Sequence, residues 1–167
     1  MTEYSPIQLS IPYLKGNELT YVSECLTTGW ISSVGRFVAE FEGAICSYTG
    51  ASHAVAVVNG TAALHLALRI AGVRAGDLVV APSLTFIASI NPISYCGAIP
   101  LFLDVDPETM GLCPDSVETF FEEACECRKE GLVHIESGRK ITAMLPVSLY
   151  GHSCKIQQLV DLAKRYK

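Results

Sequence analysis

The sequence predicts an α/β fold, in which a mostly parallel sheet is flanked by helices. Short apolar runs such as Ala54–Val58 and Leu78–Ala81 alternate with longer segments whose apolar residues recur at helical spacing. A continuous apolar run is typical of a strand buried on both faces, and the second pattern is typical of a helix. Strands that alternate with helices pair in parallel through right-handed crossovers, which gives the α/β class.

The first 50 residues differ from the rest and predict an N-terminal helical arm. Two helical stretches, Asn17–Thr27 and Val34–Thr49, are joined by a segment rich in glycine and serine. The alternating pattern begins only afterwards. We therefore expect two regions, an arm over residues 1–50 and an α/β domain over residues 51–167.

Strands and helices follow one another with short turns in the second region. The helix from Thr61 is closed by Gly72, a common helix stop, and its apolar surface runs nearly all the way round, which predicts burial. Pro92 should distort or delay the helix that contains it. The predicted strands are 54–58, 78–81, 99–105 and 141–147, and the predicted helices are 61–71, 85–95, 115–127 and 155–166.

The last two of these helices are amphipathic. Asp115 and Glu118 match a capping pattern at the start of the first. The polar stretch 127–140 predicts an exposed connection after it. The expected apolar stripes are Val117, Phe120, Phe121 and Ala124 on one helix, and Ile156, Leu159, Val160 and Ala163 on the other.

Composition excludes several classes of function. The chain has 167 residues, half of them hydrophobic, which is enough for a core. A net charge of -5 without a basic stripe gives no support to a nucleic-acid partner. No apolar run approaches the roughly 20 residues of a membrane span, and the polar start lacks the pattern of a signal peptide. We expect a cytoplasmic protein with no membrane and no nucleic-acid partner.

The cysteine pattern predicts neither a disulfide scaffold nor a metal site. The seven cysteines are an odd number in a chain that is not short and loop-rich. A cluster of Cys113, Cys125, Cys127 and His134 lacks paired C-x2-C spacing. Cys125 and Cys127 are expected on a helix, where residues two apart point away from each other. We therefore predict no metal.

Polar residues gather where the predicted strands end. In an open parallel sheet, ligands bind beyond the carboxyl ends of the strands. Hydroxyls, glycine, aromatic rings or carboxylates occur at all such ends, although the strands themselves are apolar. These segments are Asn59–Thr61, Ser83–Phe86, Asp104–Asp106 and Ser148–His152.

The segment Asn59–Thr61 predicts a phosphate site most sharply. A glycine turn that leads into a helix leaves backbone N–H groups open at the positive end of the helix dipole, where an anion is stabilised. Asn-Gly also signals a β-hairpin, but the residues that follow have helical spacing. The segment matches neither a Walker A loop nor G-x-G-x-x-G, so ATP and dinucleotides fit poorly.

The other strand ends have more ordinary interpretations beside the functional ones. Phe86 could stack on a planar ligand, although a core role is the more common one for such a ring. Asp104 and Asp106 favour turn formation and capping before a proline. His152 follows the fourth strand, where a lone histidine is more often structural than catalytic.

Motifs in these places resemble the DegT/StrS-type aminotransferases, which aminate keto-sugars attached to nucleotides. The resemblance runs from about Ile11 to the last residue. It implies a partial large domain of the pyridoxal phosphate (PLP) fold-type I, the aspartate aminotransferase-like fold. The motifs are Gly29–Ser32, Asn59–Leu64, Pro82–Ala88, Asp104–Pro107 and Pro146–His152.

The resemblance also implies a role for individual residues. Gly60, Thr61 and Ala62 would hold the phosphate of PLP. Phe86 would stack on the pyridine face, and His152 would approach the cofactor edge. Among the arm residues, Trp30 and Ser32 would face the sugar substrate. Family enzymes are homodimers that use an amino-acid donor, so both are expected of the full-length form.

The C-terminal end of the sequence limits what this chain is expected to do. The family's aspartate partner of the pyridine nitrogen and its Schiff-base lysine would follow Lys167. Lys155, Lys164 and Lys167 are expected to be solvated and not to replace that lysine. The chain is therefore expected to be a fragment, inactive by itself in transamination. Two alternatives stay open: a non-catalytic domain that binds a phosphate ligand or a partner, and the dehydratase branch of the same family.

Overall fold

A computed structural model describes residues 6–7 and 10–166, and the chain divides into two compact units, residues 1–56 and 57–167. The predicted boundary at residue 50 coincides with the end of a helix, whereas contacts place residues 51–56 with the first unit. Lys167, expected to be solvated, lies outside the described residues.

The first unit contains the two predicted helices, α1 (Glu18–Thr28) and α2 (Arg36–Thr49). Each ends at a glycine with φ of 76°, a left-handed conformation that glycine adopts without strain. The helices meet through the rings of Tyr21 and Phe37, whose centroids lie 4.6 Å apart. Arg36 bridges them as well, because its guanidinium lies 3.1 Å from a carboxylate oxygen of Glu24.

The second unit has an α/β architecture, which confirms the predicted class. The elements are α3 (Gly60–Ile70), β1 (Leu78–Pro82), α4 (Ile87–Tyr95), β2 (Ile99–Leu103), α5 (Pro114–Ala124), β3 (Cys125–Arg128), β4 (Gly131–His134), β5 (Ile141–Met144) and α6 (Ile156–Tyr166). The sheet is parallel, with strand order β2-β1-β5, and a separate antiparallel pair joins β3 and β4.

The central strand β1 explains why its sequence is continuously apolar. All five of its residues are buried, and successive side chains enter opposite faces. Leu78 and Val80 belong to one core cluster with residues of α5 and α6. Val79 and Ala81 belong to a second cluster with residues of α3 and α4. The sheet is therefore covered by helices on both faces.

The strand predicted at Ala54–Val58 is wrong. Strands need a partner for their backbone hydrogen bonds, and no described strand pairs with this segment. Its valines are exposed, with Val58 at 88%. The predicted burial of α3 is wrong as well, since Leu68 is its one buried residue among those described and Ile70 is 78% exposed.

The stretch predicted as an exposed connection is a β-hairpin. Strand β3 follows α5 directly and pairs with β4, whose Leu132 and Val133 are buried. The helix predicted to reach residue 127 therefore stops at Ala124. At its start, Pro114 occupies the first turn and no side chain of the described residues caps the helix, so the predicted Asp115–Glu118 cap is wrong.

The predicted stripe of α5 is confirmed, and that of α6 is partly wrong. Val117 and Phe121 of α5 are buried. In α6 the buried residues are Leu159 and Leu162, whereas the other three predicted residues are exposed, namely Ile156, Val160 and Ala163. Among the described residues, no helix is both long enough and apolar enough to cross a membrane.

Candidate cofactor-phosphate site

Polar loops meet at one edge of the sheet. Because β1 pairs in parallel with both β2 and β5, the segments that follow these strands leave at the same edge. Ser83–Phe86 follows β1, Asp104–Asp106 follows β2, and Ser148–His152 lies beyond β5. The structure thus brings together three of the predicted segments.

The N-terminus of α3 points toward the same edge. A short connection, residues 71–77, joins the end of α3 to the start of β1, and Leu68 of α3 packs in one cluster with Val79 and Ala81. A helix of 11 residues is about 16 Å long, about the length of a five-residue strand. Running antiparallel to β1, the helix therefore starts near the carboxyl end of the sheet.

The turn before α3 is a helix start and not a hairpin. Asn59 has extended backbone, and its side-chain oxygen accepts a hydrogen bond from the amide of Ala62 at 2.9 Å. The amide of Ala63 donates to the Asn59 carbonyl. The amides of Gly60 and Thr61 have no acceptor within residues 10–166. Two amide donors are therefore open. Ala62 is also predicted to hold the phosphate, but its amide already donates to Asn59.

Gly60 has no structural reason to be glycine. Among the described residues, a Cβ added there would meet nothing within 4 Å, and the φ of Gly60 is not in the left-handed region. An alanine would fit the protein. The space beside the Gly60 amide is therefore free for a group that approaches the backbone closely, as a phosphate does at a helix N-terminus.

Phe86 lies at the surface and not in the core. It precedes α4 and is 72% exposed, so the core alternative is wrong for this ring. Beside it, the Thr85 hydroxyl oxygen is buried without a hydrogen-bond partner in the described residues. An unpaired buried hydroxyl costs about 1–3 kcal/mol, so this threonine is a polar feature that sequence reasoning missed.

Asp106 forms the turn predicted for it, and it also binds a lysine. It is 4% exposed, and one carboxylate oxygen accepts from the amides of Glu108 and Thr109. The other accepts from Lys155 Nζ at 2.6 Å. The hydrogen bond from Lys155 lowers the pKa of Asp106 to about 2, and the same bond raises the pKa of Lys155. The expectation that Lys155 is solvated is wrong.

His152 and its neighbours form an exposed loop. His152 is exposed, and its amide donates to the Leu149 carbonyl at 3.0 Å. Tyr150 is 84% exposed and has a φ of 52°, which is uncommon for a residue with a side chain. The structure places the loop at the sheet edge, and the predicted contact of His152 with a cofactor stays a prediction.

Trp30 and Ser32 belong to the first unit, which is described by itself. Both line a cavity of about 1000 Å³ formed by α1, α2 and the segment between them. Trp30 is 59% exposed, and the charged residues of the cavity wall are Glu24 and Arg36, which pair with each other. The cavity wall is otherwise mostly apolar, including Val22, Leu26, Val34 and Phe37.

Cys125 and Cys127 point to the same side, so the prediction that they point apart is wrong. Both lie on strand β3, where residues two apart share a face, and not on a helix. Cys125 is buried, which raises the pKa of its thiol to about 11. Within the part of the chain that the structure describes, no three metal-ligating side chains form a cluster.

The chain is similar to aminotransferases over nearly its whole length. Residues 12–167 match the model of the DegT/DnrJ/EryC1/StrS aminotransferase family. A GDP-perosamine synthase from Caulobacter vibrioides is 42% identical over 166 residues, which are 99% of this chain and 40% of that protein. The chain thus spans about two fifths of the length of this relative.

Solved structures share the fold. A DegT DnrJ EryC1 StrS aminotransferase from Brucella abortus superposes with a TM-score of 0.75 at 30% identity, over 89% of this chain and 37% of that one. Spr1654 from Streptococcus pneumoniae, in its PMP form, gives a TM-score of 0.76 at 29% identity, over 95% and 36% of the two chains. The same protein is solved in a PLP form. These likenesses support PLP as the cofactor and fold-type I as the fold.

Proposed function

Because the chain belongs to the DegT/DnrJ/EryC1/StrS aminotransferase family, we propose that it forms the cofactor-phosphate side of a sugar aminotransferase. The reaction transfers an amino group from an amino-acid donor to a keto-sugar carried on a nucleotide. Relatives named GDP-perosamine synthase and UDP-4-amino-4-deoxy-L-arabinose--oxoglutarate aminotransferase support this class of substrate. By the same kinship, we place the enzyme in the cytoplasm as a homodimer.

The observation that carries this proposal is the open start of α3. The free amides of Gly60 and Thr61 and the Thr61 hydroxyl hold the phosphate, while Asn59 caps the helix beside them. This arrangement fits a phosphate because nothing in the described protein fills the space next to Gly60. Ala62 contributes its small side chain, which leaves room for the phosphate, since its amide is bonded to Asn59.

Other residues complete the site in this proposal. Phe86 offers its exposed ring to the pyridine face, and the unpaired Thr85 hydroxyl lies directly before it. His152 stands at the cofactor edge. In the first unit, which is described by itself, Trp30 and Ser32 are the residues that we propose to contact the sugar. PLP, when bound, supplies the electron sink for the transfer. The chain's own residues bind and orient it.

The proposal is tested by titrating the chain with PLP and, separately, with inorganic phosphate, using isothermal titration calorimetry. We expect weak PLP binding that inorganic phosphate competes away. Gly60→Ala should weaken both ligands about tenfold, because a methyl group fills the space beside the free amides. Its stability should stay within about 0.5 kcal/mol of the parent, since the added Cβ meets nothing.

Gly43→Ala is the matched control. Gly43 also lies in a helix, and no atom of the described part of the chain lies within 4 Å of an added Cβ, but it is in the other unit. Its affinity for both ligands should equal that of the parent. Equal PLP affinity in Gly60→Ala and the parent, or binding that inorganic phosphate does not reduce, contradicts the proposal.

A further inference from the structure

The loops that follow β2 and β5 are locked together on the side of the sheet covered by α5 and α6. The loop after β2 closes on itself, because the Met110 amide donates to the Asp106 carbonyl and the Asp106 amide donates to the Gly111 carbonyl. Gly111 then abuts the second loop so closely that a Cβ on it would lie 2.5 Å from the Cβ of Cys154. Glycine is therefore required there by packing.

The ion pair between Asp106 and Lys155 joins the same two loops. Lys155 is the residue directly before α6, and a cation near the N-terminus of a helix is disfavoured by the helix dipole. Asp106 compensates for this at 2.6 Å, and a carboxylate oxygen of Glu108 lies 3.5 Å from the same ammonium. The Asp106 carboxylate is itself held by the Thr109 amide and hydroxyl. The lysine is thus tied to a rigid acceptor.

The loop Ser148–Cys154 depends on its two ends for its position. On its N-terminal side, the Leu145 amide donates to the Val80 carbonyl of the central strand at 2.7 Å. On its C-terminal side stand buried Cys154 and the paired Lys155. Between them the backbone is held by turn bonds from Gly151 and His152. His152 is exposed and lies three residues before Lys155, so its position depends on how this end of the loop is held.

We propose that Asp106 and Lys155 are positioning residues, whose ion pair holds the Ser148–Cys154 loop so that His152 meets the edge of the cofactor. The proposal rests on the function proposed above for His152. It assigns to Lys155 a task that is separate from any covalent chemistry. It also separates the site into two parts, since among the described residues the hydrogen bonds and salt bridges of the pair do not involve Gly60.

The first test needs no ligand. Hydrogen exchange of the Gly151 and His152 amides is compared in the full chain and in Lys155→Met. We expect exchange about tenfold faster in the variant, because one end of the loop is released, with amides of α4 unchanged. Lys155→Arg, which can keep the pair, should restore protection. Unchanged exchange in Lys155→Met overturns the proposal whatever the ligand does.

Lys164→Met provides the control for this comparison. Lys164 lies within α6, the helix that Lys155 precedes, but its side chain is 71% exposed and its nearest carboxylate oxygen is 3.9 Å away. Its exchange should match that of the parent. If Lys155→Met does not fold, Lys155→Gln, judged by circular dichroism, takes its place with the same expectations.

The second test measures affinity for PLP and for inorganic phosphate in the parent, Lys155→Met, His152→Ala and the double variant. Lys155→Met should weaken PLP about fivefold and leave inorganic phosphate unchanged, and it should have no further effect when His152 is absent. An additive effect in the double variant overturns the proposal. A parent chain that does not bind PLP overturns the proposed function and the role of His152, while faster exchange would still establish the held loop.

Discussion

Two parts of the sheet edge differ in whether their polar groups are paired within the protein. At the start of α3, the amides of Gly60 and Thr61 have no acceptor in the described chain, and an added Cβ at Gly60 meets nothing. Across the edge, the carboxylate of Asp106 accepts four bonds and is buried, and Gly111 is pressed against Cys154. Both parts depend on a glycine. One glycine leaves space, and the other removes a collision.

We interpret this difference as one between a surface proposed to bind a ligand and a surface that holds the fold together. A buried polar group that is fully paired rigidifies a structure, whereas open donors at a helix start are satisfied by water or by an anion. The two glycines therefore predict opposite outcomes for one chemical change, glycine to alanine. Comparing the two substitutions is the most direct test of whether the two parts of the edge differ.

The largest effect is expected for Gly111→Ala. The new Cβ would lie 2.5 Å from the Cβ of Cys154 and 3.3 Å from the Val147 carbonyl oxygen, so the backbone must move. Such overpacking costs about 1–3 kcal/mol in the free energy of unfolding, measured by urea denaturation. Gly60→Ala serves as the comparison and should change the free energy of unfolding by less than about 0.5 kcal/mol.

A second substitution sharpens the result for Gly111. Cys154→Gly removes the nearest of the atoms that the new methyl group would meet. The double variant should therefore be more stable than the sum of the two single effects by about 1 kcal/mol. A Gly111→Ala variant as stable as the parent would show that the two loops are not tightly packed, and the contrast between the glycines would fail.

The fold could be predicted from sequence where one local pattern decides the structure. Leu78–Ala81 is apolar at every position because both faces of β1 are covered by helices. Ala54–Val58 shows the same apolar pattern but has no pairing partner among the described strands. An apolar pattern alone therefore predicts a strand that the structure does not contain there. Cys125–Arg128 continues a helical pattern, but its structure depends on pairing with β4, which no local pattern reveals.

The site could be predicted in the same uneven way. Gly60 and Phe86 stand at the ends of apolar segments, where sequence order itself marks the sheet edge. The tie between Asp106 and Lys155 spans 49 positions of the chain, and a lysine before a helix is ordinarily solvated. The Asn59 cap does have a sequence signal, since asparagine is a preferred N-cap residue, but the Asn-Gly pair equally signals a hairpin.

The next effect is expected at Asn59, where the cap and the open amides can be separated. Asn59→Ala removes the bond to the Ala62 amide and should cost about 1 kcal/mol of stability. Asn59→Asp keeps the cap but adds a negative charge beside the proposed phosphate. It should retain stability and weaken inorganic phosphate about tenfold at low salt, measured by calorimetry. Equal phosphate affinity in Asn59→Asp and the parent would place the anion elsewhere.

The smallest effect concerns the stability that the ion pair between Asp106 and Lys155 contributes, which is lost at low pH. The pKa of Asp106 is lowered from 3.8 to about 2, chiefly by the hydrogen bond from Lys155, so its contribution to stability is present above pH 3.8 and is lost as the pH falls toward 2. The raised pKa of Lys155 keeps the lysine charged throughout this range. With Lys155 34% exposed, solvent screening reduces the effect.

Thermal unfolding of the parent and of Lys155→Met therefore tests whether the charge interaction between Asp106 and Lys155 stabilises the two loops. The parent should have the higher Tm, by about 2 °C, at neutral pH, and the gap should close as Asp106 is protonated on approach to about pH 2. Lys164→Met should show no such closing gap, because its lysine faces no buried carboxylate among the described residues. A difference in Tm that persists unchanged at low pH would mean that Lys155 stabilises the loops by packing and not by charge. The role of Asp106 would then be limited to forming its own turn.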